Sequence, residues 1–220
     1  MIELKTFFTS WSGGKDSTLA HYTAMQQDML PAALVTMFEE EETRSRSHAL
    51  PKEVLDAQAA ALNLPLYTRG ASWSDYEAVF SNLLQELRSR GIHDGVFGDI
   101  DLEGHREWVE KVCTAQGIQP HQPLWQEPRE DVLQRLLDAG FHAIIIVVKE
   151  DRLPASFLGR SIDPPLIKEL EAHGVDPCGE EGEFHTVVVD GPIFSRSVRL
   201  QYGEVEHHDG YAFLPVTTTD

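Results

Sequence analysis

Apolar runs of strand length alternate with segments of helical period from Lys5 to Val148, and that alternation restricts the chain to a parallel sheet covered by helices on both faces. Strands are expected at Lys5 to Ser10, Ala32 to Met37, Leu66 to Arg69, Gly95 to Phe97 and Ala143 to Val148. Between them, Ser17 to Gln27, Lys52 to Asn63, Ser74 to Arg90, Gly104 to Gln116 and Arg129 to Ala139 carry apolar residues three and four apart, as amphipathic helices do. Gly91, Gly117 and Gly140 stand just past three of these, where helices commonly close. The stretch Pro120 to Pro128 holds three prolines and reads as a linker. It divides the chain into residues 1–125 and a smaller unit, 126–220, with short β runs at Thr186 to Val189, Ser197 to Gln201 and Tyr211 to Val216. The expected class is α/β: a doubly wound parallel sheet with a smaller C-terminal α+β domain.

Composition narrows the partners. The 220 residues carry 18 Lys and Arg against 36 Asp and Glu, a net charge of −18. That balance argues against a broad nucleic-acid interface, because phosphate backbones are bound through clustered Lys and Arg. No run approaches the about 18 apolar residues of a membrane span, and Met1 to Ser10 lacks the basic and apolar regions of a secretory signal. Two cysteines, Cys113 and Cys178, form neither a disulfide framework nor a metal-binding repeat, so packed thiols in a reducing cytoplasm are expected. A homodimer stays open on these grounds. The carboxylate run Glu39 to Glu42 reads as a solvated loop tip.

The sharpest local signal is Ser10-Trp11-Ser12-Gly13-Gly14-Lys15-Asp16-Ser17, placed directly after an apolar β run and directly before a helical segment. Two glycines let the backbone turn tightly and present N–H groups, while the following helix aims its positive dipole end at the same point. Ser12 and Ser17 add hydroxyls and Lys15 a charge, which together suit a phosphate chain. Ser10, Ser12, Gly13, Gly14, Lys15, Asp16 and Ser17 are therefore the candidate ATP-binding residues. Asp16 repels phosphate and is read as a ligand of Mg2+ or a helix cap.

The spacing is neither GxxxxGK[ST] nor GxGxxG. The SGGKDS string resembles the PP-loop of the ATP pyrophosphatase superfamily. That resemblance implies a HUP-like domain of the adenine nucleotide alpha hydrolase type, cleaving ATP between its α and β phosphates. Farther along, CGEEGEFHT at Cys178 to Thr186, running into VVVDGPIF, is similar to the GEGGE(F/Y)ET…DGP(L/I)F stretch of the diphthine–ammonia ligase family. Arg106 to Cys113 with Gly117-Ile118 resembles that family's helix after the fourth strand, and Pro123-Leu124-Trp125 its P-L-W linker. Glu181 stands where the family has Gly, and His185 where it has Glu. Phe97-Gly98-Asp99-Ile100-Asp101 replaces an uncharged Gly-Ala-Ile-type string. These differences fall in segments expected to meet the acyl substrate, whose identity stays open.

The resemblance implies an ATP-dependent amide ligase that adenylates a carboxylate, transfers ammonia to it and releases AMP and pyrophosphate. Adenylation is chemically required, since a carboxylate has no usable leaving group until it is activated. Such a site needs stabilised phosphate charge, a metal and a polar pocket. Glu180, Glu183 and His185, in a Gly-rich segment, suit a cation or ammonia site, and Arg106 is the fourth candidate catalytic residue. Arg46 and His48, in the Thr43 to His48 loop after the second strand, are candidate substrate contacts, as are Thr186 and Asp99. Asp99 follows the fourth strand at the sheet edge where doubly wound folds bind ligands, and its other reading is a helix cap. Trp73, Tyr76 and Phe80, at helical spacing, read as core. His207-His208-Asp209-Gly210 reads as a turn between late strands. Two other functions fit the loop: an ATP-binding sensor without catalysis, and a PP-loop enzyme acting on tRNA, which the charge and the absent CxxC pairs disfavour.

Overall fold

Phe7 and Phe8 sit side by side in β1 (Thr6–Ser10), and both are fully buried. Successive side chains on a strand point to opposite faces, so this pair requires a helix layer on each side of the sheet. The computed structural model, which describes residues 5–46 and 48–219, supplies both layers. Phe7 packs with Leu19, Ala20 and Ala24 of α1 (Lys15–Gln26). Phe8 packs with Phe80, Leu83, Leu84 and Leu87 of α3 (Tyr76–Ser89) and Val109 and Val112 of α4 (Glu103–Ala115). Burying each such Leu or Phe stabilises the fold by roughly 1.5–3 kcal/mol.

The first sheet is wholly parallel. It contains β1, β2 (Leu30–Phe38), β3 (Leu66–Gly70), β4 (Asp94–Val96) and β5 (Gln119–His121) in the order β3-β2-β1-β4-β5. α2 (Lys52–Leu62) joins β2 to β3. The order runs outward in one direction through β2 and β3, then reverses through β4 and β5, so a crevice opens beyond the C-terminal ends of β1 and β4. At that crevice the chain leaving β4 crosses the first turn of α1. A Cβ on Gly98 would lie 2.9 Å from the Asp16 carbonyl carbon and the Ser17 nitrogen, a distance only glycine avoids.

The stretch read as a linker begins inside β5. Pro120 is accommodated because β5 is the sheet's edge, where a missing N–H leaves no ladder partner wanting. Beyond it come α5 (Arg129–Asp138) and β6 (His142–Lys149). α6 (Pro164–Ala172) is an element that periodicity alone passes over. Its start is written in chemistry instead: Asp163 accepts the Leu166 N–H at 2.8 Å, and Pro164 and Pro165 open the first turn.

The remaining strands are β7 (Phe184–Asp190), β8 (Leu200–Tyr202), β9 (Glu206–His208), β10 (Tyr211–Phe213) and β11 (Val216–Thr218). An antiparallel sheet runs β7-β6-β10-β9, and β8 pairs with β11. His207 and His208 belong to β9, with the turn at Asp209-Gly210, both at positive φ as a type I′ turn needs. The apolar side of α1 also packs on Val132, Leu133, Leu136 and Val188, which ties the second sheet to the first through one helix. Among the described residues, no helix is long and apolar enough to cross a membrane.

Candidate active site

The loop between β1 and α1 is held from behind by backbone and amide groups. The Trp11 indole N–H donates to Gln58 Oε1 at 2.9 Å, and Gln58 Nε2 donates to the carbonyls of Gly13 at 2.9 Å and Val188 at 2.7 Å. The Val188 N–H donates to the same Gly13 carbonyl at 2.9 Å. Gly13 lies at φ +81°, a conformation that side chains other than glycine's rarely adopt. A Cβ on Gly14 would reach 2.2 Å from His48 Cε1, so the space beside that glycine is filled by an imidazole. Ser12 Oγ lies 3.0 Å from Ser17 Oγ, and the Lys15 N–H donates to Thr186 Oγ1 at 3.1 Å. α1 begins at Lys15, so its first-turn N–H groups and dipole open at this point.

Two distant segments meet over that loop. Lys15 Nζ pairs with Asp16 at 2.7 Å and with Glu180 at 3.7 Å. Burial works to lower the Lys15 pKa, but Asp16 and Glu180 outweigh it and hold the ammonium charged well above its ordinary range. Burial, then the Asp16 charge, pushes the Glu180 carboxyl up to about 7. His48 and His185 lie against each other with ring centroids 4.8 Å apart and planes tilted by 42°. Burial lowers their pKa values to about 4 and about 3, helped by Lys15 and, for His185, by His48. Both rings are neutral at pH 7. The His48 Nδ1 lies 2.7 Å from the Thr186 carbonyl, which can only accept, so Nδ1 carries the proton and Nε2 keeps its lone pair.

These groups border one cavity of about 990 Å³. It brings together Ser10, Ser12, Lys15, Asp16, Ser17, Arg46, His48, Asp99, Glu180, His185 and Thr186, eleven of the residues the sequence singled out. Asp99 caps no helix: it accepts from Gln122 Nε2 at 3.1 Å and pairs with His105 at 3.4 Å, while Leu102 stands at the start of α4. Four candidates are absent from its lining: Gly13 and Gly14, whose backbone builds the loop, and Arg106 and Glu183. Arg106 pairs with Glu110 at 2.7 Å and stacks over Trp125 at 4.9 Å. Glu183 is buried with its carboxylate accepting the Glu181 N–H at 3.0 Å and 3.8 Å from Arg152. Ser47, in the loop that carries Arg46 and His48, lies outside the described residues.

The cavity also has an end that the sequence reading assigned to the core. Phe80 is buried, but Trp73 is 78 % exposed and lines the cavity with Tyr76 and Trp108. The segment after β3 bends at the cavity mouth, which helical spacing could not reveal. Gln58 was missed too. Its signal was a lone polar residue on the apolar face of α2, among Val54, Leu55, Ala59 and Ala61. Arg129 was likewise unread: it bonds Asp101 at 2.7 Å and Asp176 at 2.6 Å, and Asp176 in turn accepts the Glu180 N–H at 3.3 Å. Among the described residues, no group of three or more His, Cys, Asp or Glu is arranged to hold a metal ion unaided.

The model of the diphthamide synthase N-terminal domain matches residues 6–120, and that of the C-terminal domain matches residues 128–218. The human diphthine–ammonia ligase is 33 % identical over 181 residues, covering 74 % of this chain and 67 % of that protein. The mouse diphthine–ammonia ligase is 30 % identical over 230 residues, 93 % of this chain and 86 % of that protein. The zebrafish (Danio rerio) protein of the same name is 30 % identical over 235 residues, 93 % and 90 %. Two domain models that between them match nearly the whole chain, with relatives aligned across both, place it: the chain belongs to the diphthamide synthase family.

Proposed function

We propose that this cavity performs an ATP-dependent amide synthesis, in which a diphthine-type carboxylate is adenylated and ammonia then displaces AMP. A carboxylate oxygen bonds to the α-phosphorus as pyrophosphate leaves; ammonia then bonds to the acyl carbon, AMP leaves, and the nitrogen gives up a proton. One observation carries the reading. The phosphate loop and the segment from Cys178 to Thr186, about 165 residues apart in the chain, are joined at one cavity by the Lys15 to Thr186 hydrogen bond and the Lys15–Glu180 pair.

In this reading the loop N–H groups, Ser12 and Ser17 bind phosphate oxygens. Thr186 fixes the start of α1, and Asp99 and Arg46 meet the substrate. Glu180, its carboxyl pushed up to about 7, faces the place where an ammonium must become ammonia and is the suitable proton acceptor near pH 7, while His48 and His185 stay neutral and add no charge there. Arg106 and Glu183 have no part at the reacting atoms. Mg2+ fits the donor set, because Asp16 offers hard carboxylate oxygens beside the loop and nucleotide phosphates would complete such a shell. When bound it supplies charge for the departing pyrophosphate. Residues 1–125 carry the nucleotide in this scheme, and residues 126–220 add Glu180, His185 and Thr186 over the phosphate loop. The buried free thiols of Cys113 and Cys178 support a cytoplasmic setting.

The test is incubation with α-labelled ATP, magnesium and ammonium, with and without a diphthine-bearing elongation factor two, resolving AMP from ADP. The expected result is AMP and pyrophosphate that rise with the acceptor. ATP bound stably with no AMP under any condition would sink the ligase and leave a sensor.

A further inference from the structure

The cavity is lined by five side chains able to carry positive charge: Lys15, Arg46, His48, His105 and His185. Four are already answered. Lys15 is paired with Asp16 and Glu180, and His105 with Asp99. Burial keeps His48 and His185 neutral. Arg46 differs. Among the described residues it has no carboxylate within ion-pair distance, whereas eight other arginines, from Arg44 to Arg160, each have one, and the others without one, Arg88, Arg196 and Arg199, do not line the cavity. In a chain with 36 acidic residues, a cavity arginine without one is not explained by scarcity.

The Arg46 guanidinium is also held in place. It lies 4.3 Å over the ring of Trp73, and one Nη donates to the Ala71 carbonyl. Its Nε is buried with no acceptor. Leaving a buried guanidinium N–H unpaired is costly, and the group cannot discharge by losing its proton. A planar fork held by an aromatic ring and a backbone carbonyl has lost much of its freedom already, and its geometry suits two oxygens of one anion.

We propose that Arg46, set over the ring of Trp73, is the cavity's oxyanion receptor, taking a carboxylate or phosphate group at the end of the cavity formed by aromatic rings. The phosphate loop therefore binds through its backbone, while the uncommitted positive charge stands elsewhere. Two sources share this chemistry: the pyrophosphate end of the nucleotide, and a carboxylate of the acyl substrate. Naming those sources rests on the ligase reading; the receptor itself does not.

Tryptophan emission of the whole chain is titrated with inorganic pyrophosphate, AMP and glutarate, for the wild type, Arg46→Gln and Arg46→Lys. The expected result is that Arg46→Gln weakens pyrophosphate or glutarate binding by about 10- to 100-fold, the size of a lost charge-assisted pair, and leaves AMP unchanged. Arg46→Lys recovers only part, since a point charge lacks the fork. Loss confined to pyrophosphate assigns the receptor to the nucleotide, and loss confined to glutarate assigns it to the acyl substrate. Equal binding of all three probes to wild type and Arg46→Gln overturns the proposal. If Arg46→Gln does not fold, Trp73→Leu removes the shelf at an exposed position, and the same probes must weaken several-fold or the proposal falls. A wild type that forms no AMP yet binds pyrophosphate through Arg46 would end the ligase reading and leave the receptor intact.

Discussion

The two ends of the cavity are built on opposite terms. At the phosphate-loop end, nearly every polar group is already engaged: Gly13 accepts from Val188 and Gln58, Lys15 is paired twice, and Thr186 takes the first N–H of α1. At the far end, Trp73 stands exposed and Arg46 has no counter-charge among the described residues. The first end fixes a shape that can receive a group common to every nucleotide, so its geometry resides in backbone and buried amides. The second is made of side chains that complete themselves only on a ligand. On the receptor proposal, ligand selection belongs there, where substitution changes recognition without disturbing the frame.

That contrast breaks most easily at the loop. Asp16→Ala should lower AMP formation by about 10²- to 10³-fold, the usual size for removing one preorganised charge, with an unchanged circular dichroism spectrum. Turnover near wild type would mean that Asp16 serves only to neutralise Lys15. Gln58→Leu acts on the frame itself. It strands the Trp11 indole N–H and the Val188 carbonyl inside the core, and should destabilise the chain by about 2–4 kcal/mol, read as a lower urea midpoint. A loss below about 0.5 kcal/mol would show that the loop is held by something other than this amide.

The loop end also has a pH signature. His48 and His185 have folded pKa values of about 4 and about 3, below the ordinary 6.5, so between roughly pH 4 and 6.5 the unfolded chain binds more protons. Their contribution is complete above pH 6.5 and is lost as pH falls through that window. Glu180 acts in the other direction. Its folded pKa of about 7 exceeds the ordinary 4.5, so its contribution falls as pH rises from 4.5 to 7. His185→Gln should flatten the acid side of the melting temperature against pH, and Glu180→Gln the side from 4.5 to 7. Identical profiles in all three proteins would show these groups to be solvated.

The difference between the ends also explains what could be read from the sequence. The SGGKDS loop was legible as a strand-to-helix turn because its geometry is local: one strand end, two glycines and one helix start lie within eight residues. The parallel sheet was legible because strands buried on both faces are apolar throughout. Gln58, Arg129 and the aromatic end depend on contacts across tens of residues, as in the 47 residues from Trp11 to Gln58. Glu183 and Arg106 show the converse. Each stands in a segment that reaches the site, but the side chain turns to Arg152 or to Glu110 and Trp125, and motif position does not specify which way a side chain turns.

The smallest expected effect is at Trp73, and it tests the far end most directly. With 78 % of its surface exposed, Trp73 gives the fold little burial, so Trp73→Leu should change stability by no more than about 0.5 kcal/mol. Arg46 keeps its Ala71 carbonyl in that variant but loses the ring beneath it. A ligand-completed end requires that the urea midpoint stay fixed while oxyanion binding weakens. If the midpoint falls by more than about 1 kcal/mol, Trp73 is part of the frame, and the two ends of the cavity are built alike after all.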